Sequence, residues 1–252
     1  MGETIEVKTA DGVADSYLSR PDDGRAHPGV LLMVDAFGLR PQIEAMADRI
    51  AAAGYVVLAP NVFYRAGRAP VISLDGLGDP ERRDEVIGRV WPLMGELTTA
   101  RIVADGSAYL DRLVEETDGG AVAITGYCMG GRLGWRIAAA YPNRVDALGC
   151  FHTGGLVTEE DDSPHLSAGE IDAELFLGFA DHDKSATPEQ IATVEGALSA
   201  AGASFRAEVF ADAEHGYTMA DTPAYDEAAA ERHYEELFAL LDRRLGAGAG
   251  GG

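Results

Sequence analysis

Short runs of uninterrupted apolar residues alternate along this chain with longer stretches of helical spacing. Gly29-Val30-Leu31-Leu32-Met33-Val34 and Tyr55-Val56-Val57-Leu58-Ala59-Pro60 are continuous apolar runs, the pattern of strands buried on both faces of a parallel sheet. Between them, positions 40–53 carry helical spacing that stops at Gly54. The spacing then predicts helices over 80–90 and 97–116, an apolar strand over 121–125, and a helix over 132–140. Strands over 145–151, 173–179 and 204–210 follow, with helices over 188–201 and 224–241. Ahead of all these, residues 3–19 alternate around Asp11-Gly12 and read as a hairpin of strands 4–8 and 13–18. The order predicts an α/β architecture with a mostly parallel central sheet, helices on both faces and an antiparallel start. No repeat and no composition break divides the chain. The expectation is one domain over 1–245 and a disordered Gly/Ala tail over 246–252.

Composition narrows the function classes. The chain has 252 residues, 46% hydrophobic, enough for a sizeable core. Its formal charge is −22 with only two lysines, Lys8 and Lys184, which argues against binding nucleic acid or an anionic membrane. No apolar run approaches a membrane span, and the N-terminus lacks the basic and apolar regions of a secretory signal. A soluble cytoplasmic protein, monomeric or a small homo-oligomer, is expected. Two cysteines make no disulfide framework, and no Cys/His spacing suggests a metal site. Cys150, at the end of an apolar run, reads as a buried small hydrophobe. The acidic run Glu159-Glu160-Asp161-Asp162 reads as solvated surface.

Chemistry enters at Gly126-Tyr127-Cys128-Met129-Gly130-Gly131, set between a strand and a helix. Gly-x-Cys-x-Gly in that context is the pattern of a nucleophile elbow. A tight corner flanked by glycines exposes the sulfur, and the Met129 N–H points into the same space as an oxyanion donor. The helix N-terminus beyond adds partial positive charge that favours a thiolate. Active sites of open α/β sheets lie beyond the carboxyl ends of the strands, and four strand ends carry reactive side chains. They are Asp35, Cys128, Asp181-His182-Asp183, and Asp212-Ala213-Glu214-His215. Nucleophile, acid, histidine is the chain order of the α/β-hydrolase fold. Cys128 is the expected nucleophile and His215 the base that takes its proton and later activates water. Asp181 and Asp183 compete as the acid that orients the imidazole; Asp181 is preferred as the one nearer the expected strand end.

These segments resemble the dienelactone hydrolase family, also called carboxymethylenebutenolidases. The resemblance rests on the elbow, on Gly178-Phe179-Ala180-Asp181-His182, on Ala213-Glu214-His215-Gly216, on Phe37-Gly38 and on Gly54-Tyr55 through Ala59-Pro60-Asn61. It implies a triad of Cys128, His215 and Asp181, no metal or cofactor, and oxyanion donors at the Ala36 and Met129 amides. It implies too that Asp35 stands where the family has a glutamate that holds and activates the resting thiol. Met219 replaces a substrate-binding arginine, and Arg82 or Arg83 stands near a second one. His152 and Tyr64, after neighbouring strand ends, are further pocket candidates. The implied activity is hydrolysis of a small ester, lactone or enol-lactone through an acyl-thioester. With Met219 in place of arginine, an uncharged ester or thioester is the alternative substrate, and a non-catalytic binding or redox-sensing protein the alternative class.

Overall fold

Eight strands form one sheet in the order β1-β2-β4-β3-β5-β6-β7-β8. A computed structural model of the chain describes residues 2–117, 119–120 and 122–246; of the expected disordered tail, 247–252 lie outside the described residues. The hairpin β1 (Glu3–Thr9) and β2 (Gly12–Ser19) is antiparallel, and β2 joins β4 (Val56–Pro60) antiparallel. From there every pairing is parallel: β4 with β3 (Gly29–Met33), then β5 (Val122–Tyr127), β6 (Val145–Phe151), β7 (Glu174–His182) and β8 (Phe205–Glu214).

Hydrophobic burial explains the central strands. Every residue of β3, β4 and β5 is buried, because helices cover both faces of the sheet. The helices are α1 (Pro41–Ala52), α2 (Arg83–Gly95), α3 (Thr99–Val114), α4 (Met129–Ala140), α5 (Pro188–Ala201) and α6 (Glu227–Leu245). Thr98 caps α3, and Thr187 with Gln190 forms a capping box on α5, so local chemistry marks these starts. Among the described residues no helix is long and apolar enough to cross a membrane.

Two departures from the sequence expectation matter for the site. Helix α2 begins later than expected and continues through Pro92 to Gly95, so that it reaches over the carboxyl edge of the sheet. Strand β7 continues past Phe179 to His182, because after a bulge His182 pairs with Glu214 at the end of β8. Asp183, not Asp181, is therefore the first residue beyond the strand.

The corner between β5 and α4 is the tightest place in the fold. A Cβ on Gly130 would lie 2.1 Å from the Met33 carbonyl oxygen, and one on Gly126 would lie 2.3 Å from the Gly130 carbonyl oxygen. Both obstacles are backbone, which cannot rotate away. Gly130→Ala should therefore cost at least about 2 kcal/mol of stability through overpacking. Urea unfolding checks this; an unchanged midpoint would contradict the close approach of α4 to β3.

Candidate active site

Adjacent parallel strands deliver one reactive side chain each. Asp35 follows β3, Cys128 follows β5, His152 follows β6, Asp183 follows β7 and His215 follows β8. The sheet's own spacing thus brings residues from five distant segments to one edge.

Cys128 has φ 55° and ψ −117°, a conformation that side-chain-bearing residues rarely adopt. Its N–H is held by the Phe151 carbonyl at 3.0 Å, and the corner leaves the sulfur half-buried at the cleft floor. His215 Nε2 lies 3.0 Å from Sγ, and His215 Nδ1 lies 2.6 Å from Asp183 Oδ2. The other oxygen of Asp183 accepts the Ser185 N–H at 2.8 Å and the Ser185 hydroxyl at 2.6 Å. These contacts form a continuous line from sulfur through imidazole to a buried carboxylate.

The acid is where the sequence expectation fails. Asp181 is exposed in β7, and its Oδ2 accepts the Asp212 N–H at 3.3 Å. The three added strand residues carry Asp181 away from His215 and put Asp183 at the turn that faces it. Ser185, which the sequence reading passed over, fixes that carboxylate; Asp-x-Ser after a strand end is the available signal, an Asx turn.

Electrostatics agree with the geometry. Burial pulls the His215 pKa down, but the Cys128 sulfur and the Asp183 carboxylate outweigh it and raise the value to about 10. Burial pushes Asp183 up, yet His215 and the Ser185 donors together hold it below the ordinary carboxylate value. The arrangement favours a protonated, positively charged ring at His215. Cys150 differs in every respect: it is buried, donates to the Gly131 carbonyl at 3.6 Å, and burial pushes its thiol to about 12.

Asp35 is not placed as the resemblance implied. Its Oδ1 accepts Arg40 Nη1 at 2.6 Å and the Phe37 N–H at 3.0 Å, and its Oδ2 accepts Arg40 Nη2 at 2.9 Å. Arg40 also binds Asp221 through Nε at 2.6 Å. The shorter side chain is thus occupied by Arg40, and the resting sulfur is partnered by His215. The turn that Asp35 makes with Phe37 and Gly38 leaves the Ala36 N–H without an acceptor among the described residues. Ala36 and Met129 both line the cleft beside Cys128, and Met129 opens α4, where N–H groups have no intrahelical acceptor.

The cleft has two lobes that share Ala36, Phe37, Ile87, Cys128 and His215. The larger, of about 360 Å³, runs beneath α2 against Val90, Trp91 and Met94. The smaller, of about 200 Å³, is bounded by Arg83, His152, Met219 and Pro223. Trp91, 62% exposed, forms part of the larger lobe's wall. Met219 is buried, its sulfur 3.6 Å from Arg40 Nη2. His152 is fully buried with φ 39°, its Nε2 is 2.8 Å from Thr218 Oγ1, and burial keeps the ring neutral. Arg82 turns away to the Asp75 carbonyl, and Tyr64 bonds Asp105 at 3.0 Å and Thr9 at 2.7 Å, so neither lines the cleft. Asp181, His182 and Asp212 bring ligand-type atoms within 4.8 Å of one another on the exposed surface, outside both lobes.

The chain is similar to known proteins in sequence and in fold. The model of the dienelactone hydrolase family matches residues 14–245. A Salmonella typhi protein provisionally named a carboxymethylenebutenolidase is 27% identical over 231 residues, 88% of this chain and 80% of the relative. A fungal hydrolase from Aspergillus violaceofuscus is 26% identical over 219 residues, 86% of this chain and 81% of the relative. Among solved structures, a Klebsiella pneumoniae protein provisionally described as a dienelactone hydrolase superposes with a TM-score of 0.81 at 22% identity, over 96% of this chain and 98% of its own. A dienelactone hydrolase-like promiscuous phosphotriesterase from metagenomic libraries superposes with a TM-score of 0.78 at 22% identity, over 98% and 99%.

The line of contacts makes Asp183 separable from Asp181 by measurement. Nitrogen NMR of histidine-labelled protein should show His215 doubly protonated at neutral pH, losing its proton only as pH rises through about 10. Asp183→Asn should move that titration downward and lower kcat/KM on the order of 10⁴-fold, as for replacing a triad carboxylate by its amide. Asp181→Asn should leave both in place. A His215 that is neutral at pH 7 in the parent would contradict the charged arrangement.

Proposed function

The chain belongs to the dienelactone hydrolase family, and on that premise we propose that it hydrolyses a small ester, lactone or enol-lactone through a Cys128-His215-Asp183 triad. The family membership carries the statement that it is a hydrolase of esters or lactones. The observation that supports the finer reading is the unbroken line from Cys128 Sγ through His215 to Asp183, with contacts of 3.0 and 2.6 Å.

The steps follow from which groups can move protons. The sulfur attacks the carbonyl carbon, and a C–S bond forms while the carbonyl electrons move onto oxygen. The Ala36 and Met129 N–H groups donate to that oxyanion, the point where charge develops. The His215 imidazolium gives its Nε2 proton to the leaving alkoxide as the C–O bond breaks, leaving an acyl-thioester on Cys128. Now neutral, His215 takes a proton from water, whose oxygen attacks the thioester. The C–S bond breaks, the acid leaves, and thiolate and imidazolium are restored. Asp183 keeps the ring in position and stabilises its charged form throughout.

Asp35 serves this scheme from a distance. Clamped by Arg40, it shapes the turn that aims the Ala36 N–H, in place of the direct contact with the thiol implied by the resemblance. The apolar wall from α2 limits water at the reacting carbonyl.

The two cysteines give the test. Cys128→Ala should abolish turnover of a short-chain chromogenic ester and of a simple lactone while leaving the far-ultraviolet circular dichroism unchanged. Cys150→Ala should keep most of the activity. An active Cys128→Ala variant would remove the proposed nucleophile.

A further inference from the structure

The larger lobe contains an arginine, Arg132, that has no hydrogen-bond or ion-pair partner among the described residues. Arg132 lies in the first turn of α4, four residues beyond Cys128, and both residues line the same lobe. It lines the lobe together with Trp91, Gly154 and Gly155. It is half-buried, and burial, reinforced by the nearby Arg136, holds its pKa below the ordinary arginine value. Among the described residues its guanidinium makes no hydrogen bond and no ion pair. The Cys128 sulfur and the Asp162 carboxylate act on it only at a distance, and Asp162 is already bound by Arg136 at 3.2 Å and by the Thr99 hydroxyl.

Other arginines near the cleft are differently disposed. Arg40 is saturated by Asp35 and Asp221. Arg83 lines the smaller lobe but is exposed, so water screens it. Among the described residues of the cleft, Arg132 is the arginine that combines partial burial with unused donors, and a desolvated guanidinium without acceptors is costly. Gly155 lets the guanidinium come close to the backbone: a Cβ there would stand 3.1 Å from Nη1, at a φ of +71°. The guanidinium therefore packs closely against the Gly155 turn while still bordering the cavity that Cys128 also lines, where a ligand could reach it.

We propose that Arg132 is the specificity-determining residue of the larger lobe and selects esters that carry a carboxylate. The proposal rests on the hydrolase reading for its substrate. It reverses the expectation drawn from Met219, for the missing arginine of the smaller lobe does not leave the cleft without an anion site. The recognition has a different origin, the first turn of the nucleophile's own helix. Two parallel N–H bonds to a carboxylate would fix one end of the substrate while the carbonyl rests on Cys128.

The test compares matched anionic and neutral compounds. 4-Carboxyphenyl acetate is paired with 4-carbamoylphenyl acetate, and the monophenyl ester of glutaric acid with that of glutaramic acid. In at least one pair, Arg132→Gln should lower the anionic-to-neutral ratio of kcat/KM roughly 10- to 100-fold, as expected for loss of a charge-assisted contact. Arg132→Lys should restore part of it, and Arg82→Gln, outside the cleft, should leave it unchanged. Alkylation provides a readout without turnover: the ratio of iodoacetate to iodoacetamide rates at Cys128, located by peptide mass spectrometry, should fall in Arg132→Gln. Both reagents attack the same sulfur, so a change in its reactivity cancels in the ratio. If the parent hydrolyses no ester but the alkylation ratio falls, the hydrolase reading fails and the anion site stands. If turnover is intact and neither ratio moves, or if Arg83→Gln rather than Arg132→Gln collapses them, the proposal is overturned.

Discussion

The backbone corner at Cys128 is the constraint on which the rest of the site depends. A residue held at positive φ between a buried strand and a helix is strained, and the strain persists only where its surroundings leave no alternative. Here α4 presses against the Met33 and Val34 carbonyls through Gly130, and β5 presses against α4 through Gly126. The Phe151 carbonyl ties down the Cys128 N–H from the next strand. Packing of the sheet core thereby fixes the direction of the sulfur, and the same corner sets the Met129 amide and Arg132 on the cleft side.

Around that corner, charges are arranged in two separate buried systems. In one, Asp183 and Cys128 flank His215 and raise its pKa. The other is architectural: Asp35 and Asp221 grip Arg40 from two sides, tying the turn after β3 to the segment after His215. Breaking one partner of such a buried pair is expensive, which makes it a firm support for a turn that aims a backbone N–H. The strongly acidic chain thus uses Arg40 for structure and leaves Arg132 uncommitted in the cleft.

Much of this was legible in the sequence because it follows from local pattern. Continuous apolar runs marked β3 and β4, and Gly-x-Cys-x-Gly between strand and helix marked the elbow. His215 was legible from its place after the last strand. What escaped depended on tertiary pairing. The choice between Asp181 and Asp183 turned on a bulge that lets His182 pair with Glu214, and no periodicity in the strand announces where such pairing ends. Arg40, the partner of Asp35, is only five residues on, but Asp221, which binds Arg40 from its other side, lies 181 residues away in the chain. Tyr64 and Arg82 sat near promising strand ends but turn into other networks. Arg132 had a usable signal, its place in the first turn of the helix that follows Cys128, which gains meaning only once the cleft wall of α2 and the Gly154-Gly155 turn is in place.

The central claim is that Cys128 carries the acyl group. Rapid acid quenching of the protein during turnover of an activated short-chain ester, followed by intact-mass and peptide mass spectrometry, measures this directly. The account predicts one acyl group per chain, located on the peptide that contains Cys128 and lost on treatment with hydroxylamine. An adduct on another residue, or turnover with no covalent adduct when deacylation is made slow by His215→Gln, would contradict it.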